Sequence, residues 1–197
     1  MTLSTKHILF VCTGNTCRSP LAEGICRMLA KREGIAIEVR SAGVSAMEGA
    51  AYSRHSADIL RDKGAEGSGK SRFLHKGEIQ WADLILTMTI SHKRTVVARH
   101  PEAVDKIYAL KEFAEDDPLA LQAIQDGEAL MSEVQWKQAL GQPVTSAERD
   151  QLSRLSRLAP DYDIDDPFGG SRTDYEQVAA EIERAVAKLL QKLKSSD

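Results

Sequence analysis

The feature that most constrains this chain is an apolar run that leads, through a short turn, into the start of a helix. The run His7-Ile8-Leu9-Phe10-Val11 predicts a buried strand. Ser19 and Pro20 predict the N-cap and the first residue of a helix, where the missing N–H of proline costs nothing. Cys12 and Arg18 stand at the two ends of the turn. Because the N–H groups of such a turn and the helix dipole point to one place, the segment predicts an anion pocket with a cysteine at its base.

The residue types around this pocket suit phosphoryl transfer. A helix N-terminus and N–H donors stabilise a thiolate, so we expect Cys12 to be a nucleophile at neutral pH, with the Ser19 hydroxyl pointing at its sulfur. Arg18 has a planar guanidinium that can bind two phosphoryl oxygens at once. Gly14 is expected to allow a turn where a Cβ would clash, and Asn15 tolerates a left-handed backbone. The alternative interpretation, that Cys12 is a small buried residue ending a strand, is disfavoured by these surroundings.

The turn resembles the signature of the low-molecular-weight protein tyrosine phosphatase family, with the sequence Cys12-Thr-Gly-Asn-Thr-Cys-Arg-Ser-Pro20 followed by Leu21-Ala22-Glu23. The segments Arg40–Val44 and Ala82–Met88 resemble the ends of the family's second and third strands. The loop Asp166-Pro167-Phe168-Gly169-Gly170 resembles the one that carries its general acid. The resemblance covers residues 6 to about 115 and 160 to 194. It implies a cysteine-dependent phosphatase whose substrate-binding residues are Thr13, Gly14, Asn15, Thr16, Cys17, Ser19 and Phe168.

Two Asp-Pro pairs compete for the role of general acid, which must protonate the leaving group. Asp117-Pro118 is followed by Leu-Ala-Leu, which is typical of a helix start. Asp166-Pro167 is followed by Phe168-Gly169-Gly170, a loop that can hold an aromatic ring at a pocket rim. We therefore predict that Asp166 is the acid. Asp165 is its nearest competitor, but no proline follows it directly.

The substrate is predicted from one side chain of the turn and from the loop after the second strand. Tyrosine-specific members of the resembled family usually have a bulky branched aliphatic residue where this chain has Thr16, whereas its bacterial protein arginine phosphatases have threonine. The loop Ser45–Gly49 contains no aromatic residue that would contact a phenol ring. These features predict hydrolysis of phosphoarginine in phosphorylated protein substrates, with inorganic phosphate as product. Activity on phosphotyrosine or small phosphate esters is the alternative.

The three cysteines are expected to differ in role. Cys17 lies beside the pocket and is predicted to form a reversible disulfide with Cys12 through a sulfenic acid, with a buried filler as the alternative. Cys26 falls on the apolar stripe of the first helix and is predicted to lie in the core. No cysteine follows Cys26. A thiol-dependent arsenate reductase, another activity of this fold, needs two further cysteines and is therefore not expected.

The order of apolar segments predicts an α/β fold with an open, parallel, four-stranded sheet and helices on both faces. The predicted strands are 6–11, 36–41, 84–87 and 105–108, and the predicted helices are 20–33, 54–63, 91–99 and 173–193. A chain of 197 residues with 42% hydrophobic residues suits a single domain, 1–197. Residues 116–160 are predicted to be a helical insertion, either a hairpin packed on the domain or a lid or docking surface.

The remaining composition excludes several function classes. A net charge of −3 gives no reason to expect a nucleic-acid or membrane partner. Residues 1–10 lack the pattern of a signal peptide, so a cytoplasmic location is expected. We expect no metal and no other cofactor, because no cluster of Cys and His has metal-ligand spacing. His75, His92 and His100 are each predicted to be surface or loop residues.

Overall fold

The sheet carries the predicted topology. The computed structural model describes residues 5–65, 67, 69–158 and 160–195, which form four strands and eight α-helices. The strands pair in parallel in the order β2-β1-β3-β4. The predicted α/β class and four-stranded parallel sheet are confirmed. The strands are Lys6–Cys12 (β1), Ile37–Gly43 (β2), Leu84–Thr87 (β3) and Ile107–Ala109 (β4).

The long helices agree with the sequence pattern, whereas the short ones were not predictable from it. The helices are Arg18–Glu33 (α1), Arg54–Asp62 (α2), Lys76–Trp81 (α3), Ile90–Arg99 (α4), Leu110–Phe113 (α5), Pro118–Ala139 (α6), Ser146–Leu158 (α7) and Arg172–Ser195 (α8). A 3-10 helix, Pro101–Lys106, precedes β4. It displaces the start of the fourth strand from the predicted residue 105 to Ile107. Helices α3 and α5 span six and four residues, too few for a repeating apolar pattern.

Side chains of the central strand alternate between two apolar cores. Ile8 and Phe10 are fully buried with residues of α1 and α8, and Leu9 and Val11 are fully buried with residues of α3 and α4. Each such side chain contributes about 1.5–3 kcal/mol to folding. Helices therefore cover both faces of the sheet, as predicted.

The central position of β1 places its carboxyl end at the edge of the sheet where ligands bind in such folds. Cys12 is its last residue and lies opposite Gly43 of β2. The segment Thr13–Cys17, called the phosphate loop below, joins β1 to α1. The predicted N-cap, Ser19, is wrong: Cys17 is the N-cap residue, and no side chain caps this end of α1. Ser19 lies inside the first turn, where its hydroxyl is free for another contact.

The chain divides into two compact units, Met1–Ala114 with Tyr162–Asp197, and Glu115–Asp161. The second unit contains α6 and α7, so the helices predicted in this region are present. Asp117 is the N-cap of α6 and accepts a hydrogen bond from Leu119 N at 2.9 Å. At the start of α7, Thr145 and Glu148 form a capping box, because each side chain accepts a hydrogen bond from the other's backbone N–H. No helix in the described part of the chain is long and apolar enough to cross a membrane.

Gly43 is the residue whose lack of a side chain matters most to the phosphate loop. A Cβ at this position would lie 2.5 Å from the carbonyl oxygen of Thr13 and 2.8 Å from the backbone nitrogen of Asn15. We expect Gly43→Ala to displace the loop, to lower the free energy of unfolding by about 1–3 kcal/mol, and to weaken binding of inorganic phosphate. Denaturant unfolding and phosphate titration by calorimetry measure the two effects.

The matched control is Gly127→Ala in α6, where the added Cβ would lie 3.8 Å from Leu155, an ordinary contact. We expect this variant to unfold at the same or a higher denaturant concentration than the wild type. If Gly43→Ala were as stable as the wild type and bound phosphate equally well, the close approach would carry no weight in positioning the loop.

Candidate active site

A cavity of about 230 Å³ opens at the carboxyl end of β1. The structure thus brings together eight residues that the sequence places in one site. Its lining residues are Cys12, Thr13, Gly14, Thr16, Cys17, Arg18, Asp166 and Phe168. Two further predicted residues, Asn15 and Ser19, are fully buried and do not line the cavity. They belong to the layer that supports the phosphate loop.

Cys12 lies at the base of the cavity with its sulfur in a polar environment. Its side chain is buried, and its Sγ lies 3.0 Å from Ser19 Oγ. The backbone N–H of Asn15 donates a hydrogen bond to the same sulfur at 3.3 Å. Hydrogen bonds donated to a sulfur stabilise its negatively charged form. The geometry therefore suits a thiolate nucleophile.

Asn15 holds the phosphate loop to the elements around it. Its φ is 52°, so the left-handed backbone expected from the sequence is confirmed. The side-chain amide donates to Ser19 Oγ and to Ser41 Oγ, each at 2.8 Å, and its Oδ1 accepts from Arg72 N at 2.7 Å. Ser41 in turn donates to the buried carboxylate of Glu23 at 2.5 Å. This chain of bonds ties the loop to α1, to β2 and to the segment that follows α2.

The role predicted for Gly14 is wrong. A Cβ there would meet only Thr16 Oγ1, at 3.5 Å, and Gly14 is not among the residues with positive φ. The left-handed residue of the loop is Asn15, and the backbone approaches most closely at Gly43. Gly14 instead lines the cavity as a position without a side chain.

The backbone of the phosphate loop turns its carbonyl groups away from the cavity. The carbonyl oxygens of Cys12, Thr13 and Thr16 accept hydrogen bonds from Val44 N, Ser45 N and Ser53 N at 2.9–3.0 Å. By contrast, the N–H groups of Gly14, Thr16 and Cys17 donate to no acceptor in the described ranges. These donors are available to an anion, as in other sites where a loop precedes a helix N-terminus.

Arg18 joins the phosphate loop to the loop that carries Asp166. The guanidinium is buried, and its Nη1 donates to the carbonyl oxygen of Ile164 at 2.9 Å. Its Nη2 donates to Asp166 Oδ2 at 2.7 Å, and its buried Nε has no partner among the residues described. The Asp166 side chain is half-exposed. The site therefore combines a buried cation with a free donor and a carboxylate that reaches solvent.

The competing aspartates lie elsewhere. Asp117 caps α6, as the helix-start interpretation of its Asp-Pro pair predicts. Asp165 is exposed and does not line the cavity. Phe168 does line it, with 76% of its surface exposed, and its backbone N–H donates to Asp166 Oδ1 at 3.2 Å. The Asp-Pro-Phe loop thus brings a carboxylate and an aromatic ring to the cavity together.

His92 is a residue near the site that the sequence analysis missed, since the prediction of a surface or loop position is wrong. The imidazole is buried, with Nε2 2.8 Å from Thr13 Oγ1 and Nδ1 2.8 Å from Thr89 Oγ1. Burial and, after it, the positive charge of Arg18 lower the pKa of His92 to about 4. The signal available in the sequence was the spacing Thr89-x-x-His92 directly after a buried strand, which places the histidine in the first turn of a helix. The side chain of His75, by contrast, is exposed, as predicted.

The other two cysteines have different surroundings. Cys17 is buried, and its sulfur lies 3.3 Å from the hydroxyl of Tyr175. Burial is the main cause that raises the pKa of Tyr175, and the contact with Cys17 adds to it.

Cys12 and Cys17 are both free thiols, so their disulfide stays a prediction, which mass spectrometry of non-reduced peptides after peroxide treatment would test. Cys26 is in the core, as predicted, and burial raises its pKa to about 12.

Comparison with known proteins agrees with this geometry. Residues 7–141 and 130–197 match the family model described as low molecular weight phosphotyrosine protein phosphatase. A curated protein-arginine-phosphatase of Geobacillus stearothermophilus is 35% identical over 189 residues, which are 96% of this chain and 97% of the relative.

Two solved structures are also similar. The YwlE arginine phosphatase from Geobacillus stearothermophilus has a TM-score of 0.70 and 34% identity, and the match covers 97% of this chain and 94% of that one. A YwlE arginine phosphatase mutant with a phosphorylated active-site serine has a TM-score of 0.70 and 30% identity, with 95% of each chain covered. The chain thus belongs to the low-molecular-weight phosphotyrosine protein phosphatase family.

Proposed function

We propose that this protein hydrolyses phosphoarginine in phosphorylated proteins through a phosphocysteine intermediate. The observation that carries the proposal is the meeting of Cys12, Arg18 and Asp166 around one cavity that Thr16 also lines. The phosphorylated serine in the active site of a similar arginine phosphatase supports a covalent intermediate. The proposed setting is a cytoplasmic enzyme that forms a single domain with a helical insertion at residues 116–160.

The first step transfers the phosphoryl group to sulfur. The Cys12 thiolate attacks phosphorus, and the S–P bond forms as the P–N bond to the leaving guanidine breaks. Arg18 Nε and the free N–H groups of the phosphate loop bind the phosphoryl oxygens and stabilise the charge that they carry in the transition state. Asp166 donates its proton to the departing nitrogen.

The second step regenerates the enzyme. Asp166, now ionised, takes a proton from a water molecule that attacks the phosphocysteine. The S–P bond breaks, inorganic phosphate leaves, and Cys12 returns to the thiolate. Ser19 and the Asn15 N–H stabilise the sulfur as a leaving group, because both contact it directly.

The side chains at the mouth of the cavity favour a cationic leaving group. Asp166 is the carboxylate of the lining, and Thr16 adds a hydroxyl where a branched aliphatic side chain would add an apolar wall. Tyr52, the first aromatic residue after β2, is buried and does not line the cavity. The guanidinium that forms as Asp166 protonates the leaving nitrogen thus meets the new Asp166 carboxylate and the Thr16 hydroxyl, whereas a phenol ring meets Phe168 alone.

Hydrolysis of phosphotyrosine or small phosphate esters is the second candidate function. It is favoured by the exposed ring of Phe168, since an aromatic residue beside a phosphate site can stack on a phenol. The family as a whole is described by phosphotyrosine. The two candidates share every step on sulfur and differ only in the leaving group.

We expect a substrate preference that separates these candidates. For peptides of one sequence that carry either phosphoarginine or phosphotyrosine, kcat/KM should be at least about tenfold higher for phosphoarginine, because Asp166 and Thr16 contact the guanidinium. Phosphate release under initial-rate conditions measures both values. A preference for the phosphotyrosine peptide would assign the second candidate function instead.

Thr16→Ile should shift this preference towards phosphotyrosine by about tenfold, because it removes a hydroxyl and adds an apolar wall. Thr16→Val is the matched control, since it removes the hydroxyl with little change of volume. If the two variants shift the ratio of the two kcat/KM values equally, loss of the hydroxyl determines the preference. If only Thr16→Ile shifts it, the added apolar surface determines it. An unchanged ratio in both would show that residue 16 does not select the substrate.

Asp166→Asn should lower kcat by about 10²–10⁴-fold, because an amide cannot protonate the leaving nitrogen. Asp165→Asn is the control and should stay within about twofold of the wild type. The measurement is steady-state turnover of the phosphoarginine peptide, with circular dichroism to verify folding. A large loss in Asp165→Asn together with a small loss in Asp166→Asn would exchange the two assignments.

A further inference from the structure

A buried histidine that the proposed mechanism does not use contacts the residue directly after the nucleophile. His92 Nε2 lies 2.8 Å from the hydroxyl of Thr13, an exposed residue of the cavity lining. The other ring nitrogen lies 2.8 Å from the hydroxyl of Thr89. The imidazole thus stands between two hydroxyl groups, one in the phosphate loop and one at the start of α4.

The turn that holds His92 is fixed to both halves of the site. Met88 N donates to the carbonyl oxygen of Val11 in β1, and the carbonyl oxygen of Met88 accepts from Ile164 N, each at 2.9 Å. Ile90 N donates to Asp163 Oδ1 at 2.7 Å. Residues 163 and 164 lead directly into the loop of Asp166. Because this turn is held in place, the hydrogen bond from His92 can hold the Thr13 side chain in one position.

The charge state of the ring fits this arrangement. The lowered pKa leaves the imidazole neutral near pH 7, so one nitrogen donates and the other accepts. A hydroxyl can be donor or acceptor, so Thr13 and Thr89 satisfy both nitrogens in either tautomer. The hydrogen-bond partners of the Cys12 sulfur among the described residues are Ser19 and Asn15, and His92 is not one of them. Acid–base chemistry on the sulfur is therefore not its role.

We propose that His92 is a positioning residue, which fixes the Thr13 side chain and so aligns the N–H donors of the phosphate loop with the phosphoryl group. The inference rests on the proposed function only in the step that both candidate functions have in common, which is the transfer of a phosphoryl group to Cys12. It predicts that His92 acts through Thr13 and not through the leaving group.

A double-mutant cycle tests the coupling, with p-nitrophenyl phosphate as substrate and orthovanadate as inhibitor. We expect His92→Phe and Thr13→Val each to lower kcat/KM, and to raise the inhibition constant of vanadate, by about 3- to 10-fold, since one hydrogen bond is lost in each. The double variant should lose no more than the more affected single variant. Losses that multiply would show independent roles and would overturn the proposal.

Two controls separate positioning from stability. His75→Phe changes an exposed histidine that caps α3 through Gly77 N, so it should lower the melting temperature slightly and leave kcat/KM and the vanadate constant unchanged. His92→Gln keeps a donor and an acceptor and should recover most of the loss. If His92→Phe does not fold, His92→Leu takes its place in the cycle, because it also removes the hydrogen bond to Thr13. A lower melting temperature with unchanged kcat/KM and vanadate inhibition would assign His92 a purely structural role.

The small ester makes this outcome independent of substrate class. If coupling between His92 and Thr13 is observed but the phosphoarginine peptide is not hydrolysed, the proposed substrate is wrong and the positioning role stands. If the peptide is hydrolysed as expected but the effects of the two substitutions are additive, the proposed substrate stands and the positioning role of His92 is wrong.

Discussion

The left-handed backbone at Asn15 is the constraint on which the rest of the site depends. An L-residue pays for φ near 52° unless local hydrogen bonds support it, and here both ends of the side-chain amide are bonded. Because the amide is fully buried, leaving one of its groups unpaired would cost about 1–3 kcal/mol. Its bonds to Ser19, Ser41 and Arg72 N therefore fix the loop in one conformation, with the N–H groups turned inward.

Arg18 performs the corresponding task for charge. Its guanidinium is buried beside a half-exposed carboxylate, so the pair is better understood as a means of placing Asp166 than as a source of stability. One edge of the guanidinium holds the acid loop through Ile164 and Asp166, and Nε is left for the phosphoryl group. In the proposed mechanism, the same side chain thus connects the loop of the acid, Asp166, to the start of the helix that follows the nucleophile, Cys12. An arginine suits this task because its donors are arranged in a rigid plane.

The sequence predicts those parts of the molecule that local chemistry determines. The alternation of apolar segments predicts the sheet, and the turn from Cys12 to Arg18 predicts the pocket, because residue type and spacing act there over a few positions. Contacts across the chain are different: nothing near Gly43 shows that it faces Thr13, and nothing in a polar helix shows that His92 is buried. The role of Gly14 was wrong for the same reason, because the close approach to the loop occurs at Gly43 of another strand. Ser19 was wrong for a local reason: the helix begins two residues earlier than the Ser-Pro pair indicates.

These features together explain why the substrate choice rests on few side chains. In the proposed mechanism, the backbone donors, Cys12 and Arg18 contact only the phosphoryl group, and the network around Asn15 holds the loop that carries these donors. Selection is then expected from the groups beside the leaving group, for which the cavity lining offers Thr16, Asp166 and Phe168. Of these, Asp166 is also the proposed general acid, so a substitution there would change the chemistry as well as the selection. We therefore expect Thr16 and Phe168 to be the positions where the preference between an aromatic and a guanidinium leaving group can change without altering the groups proposed to bind the phosphoryl group.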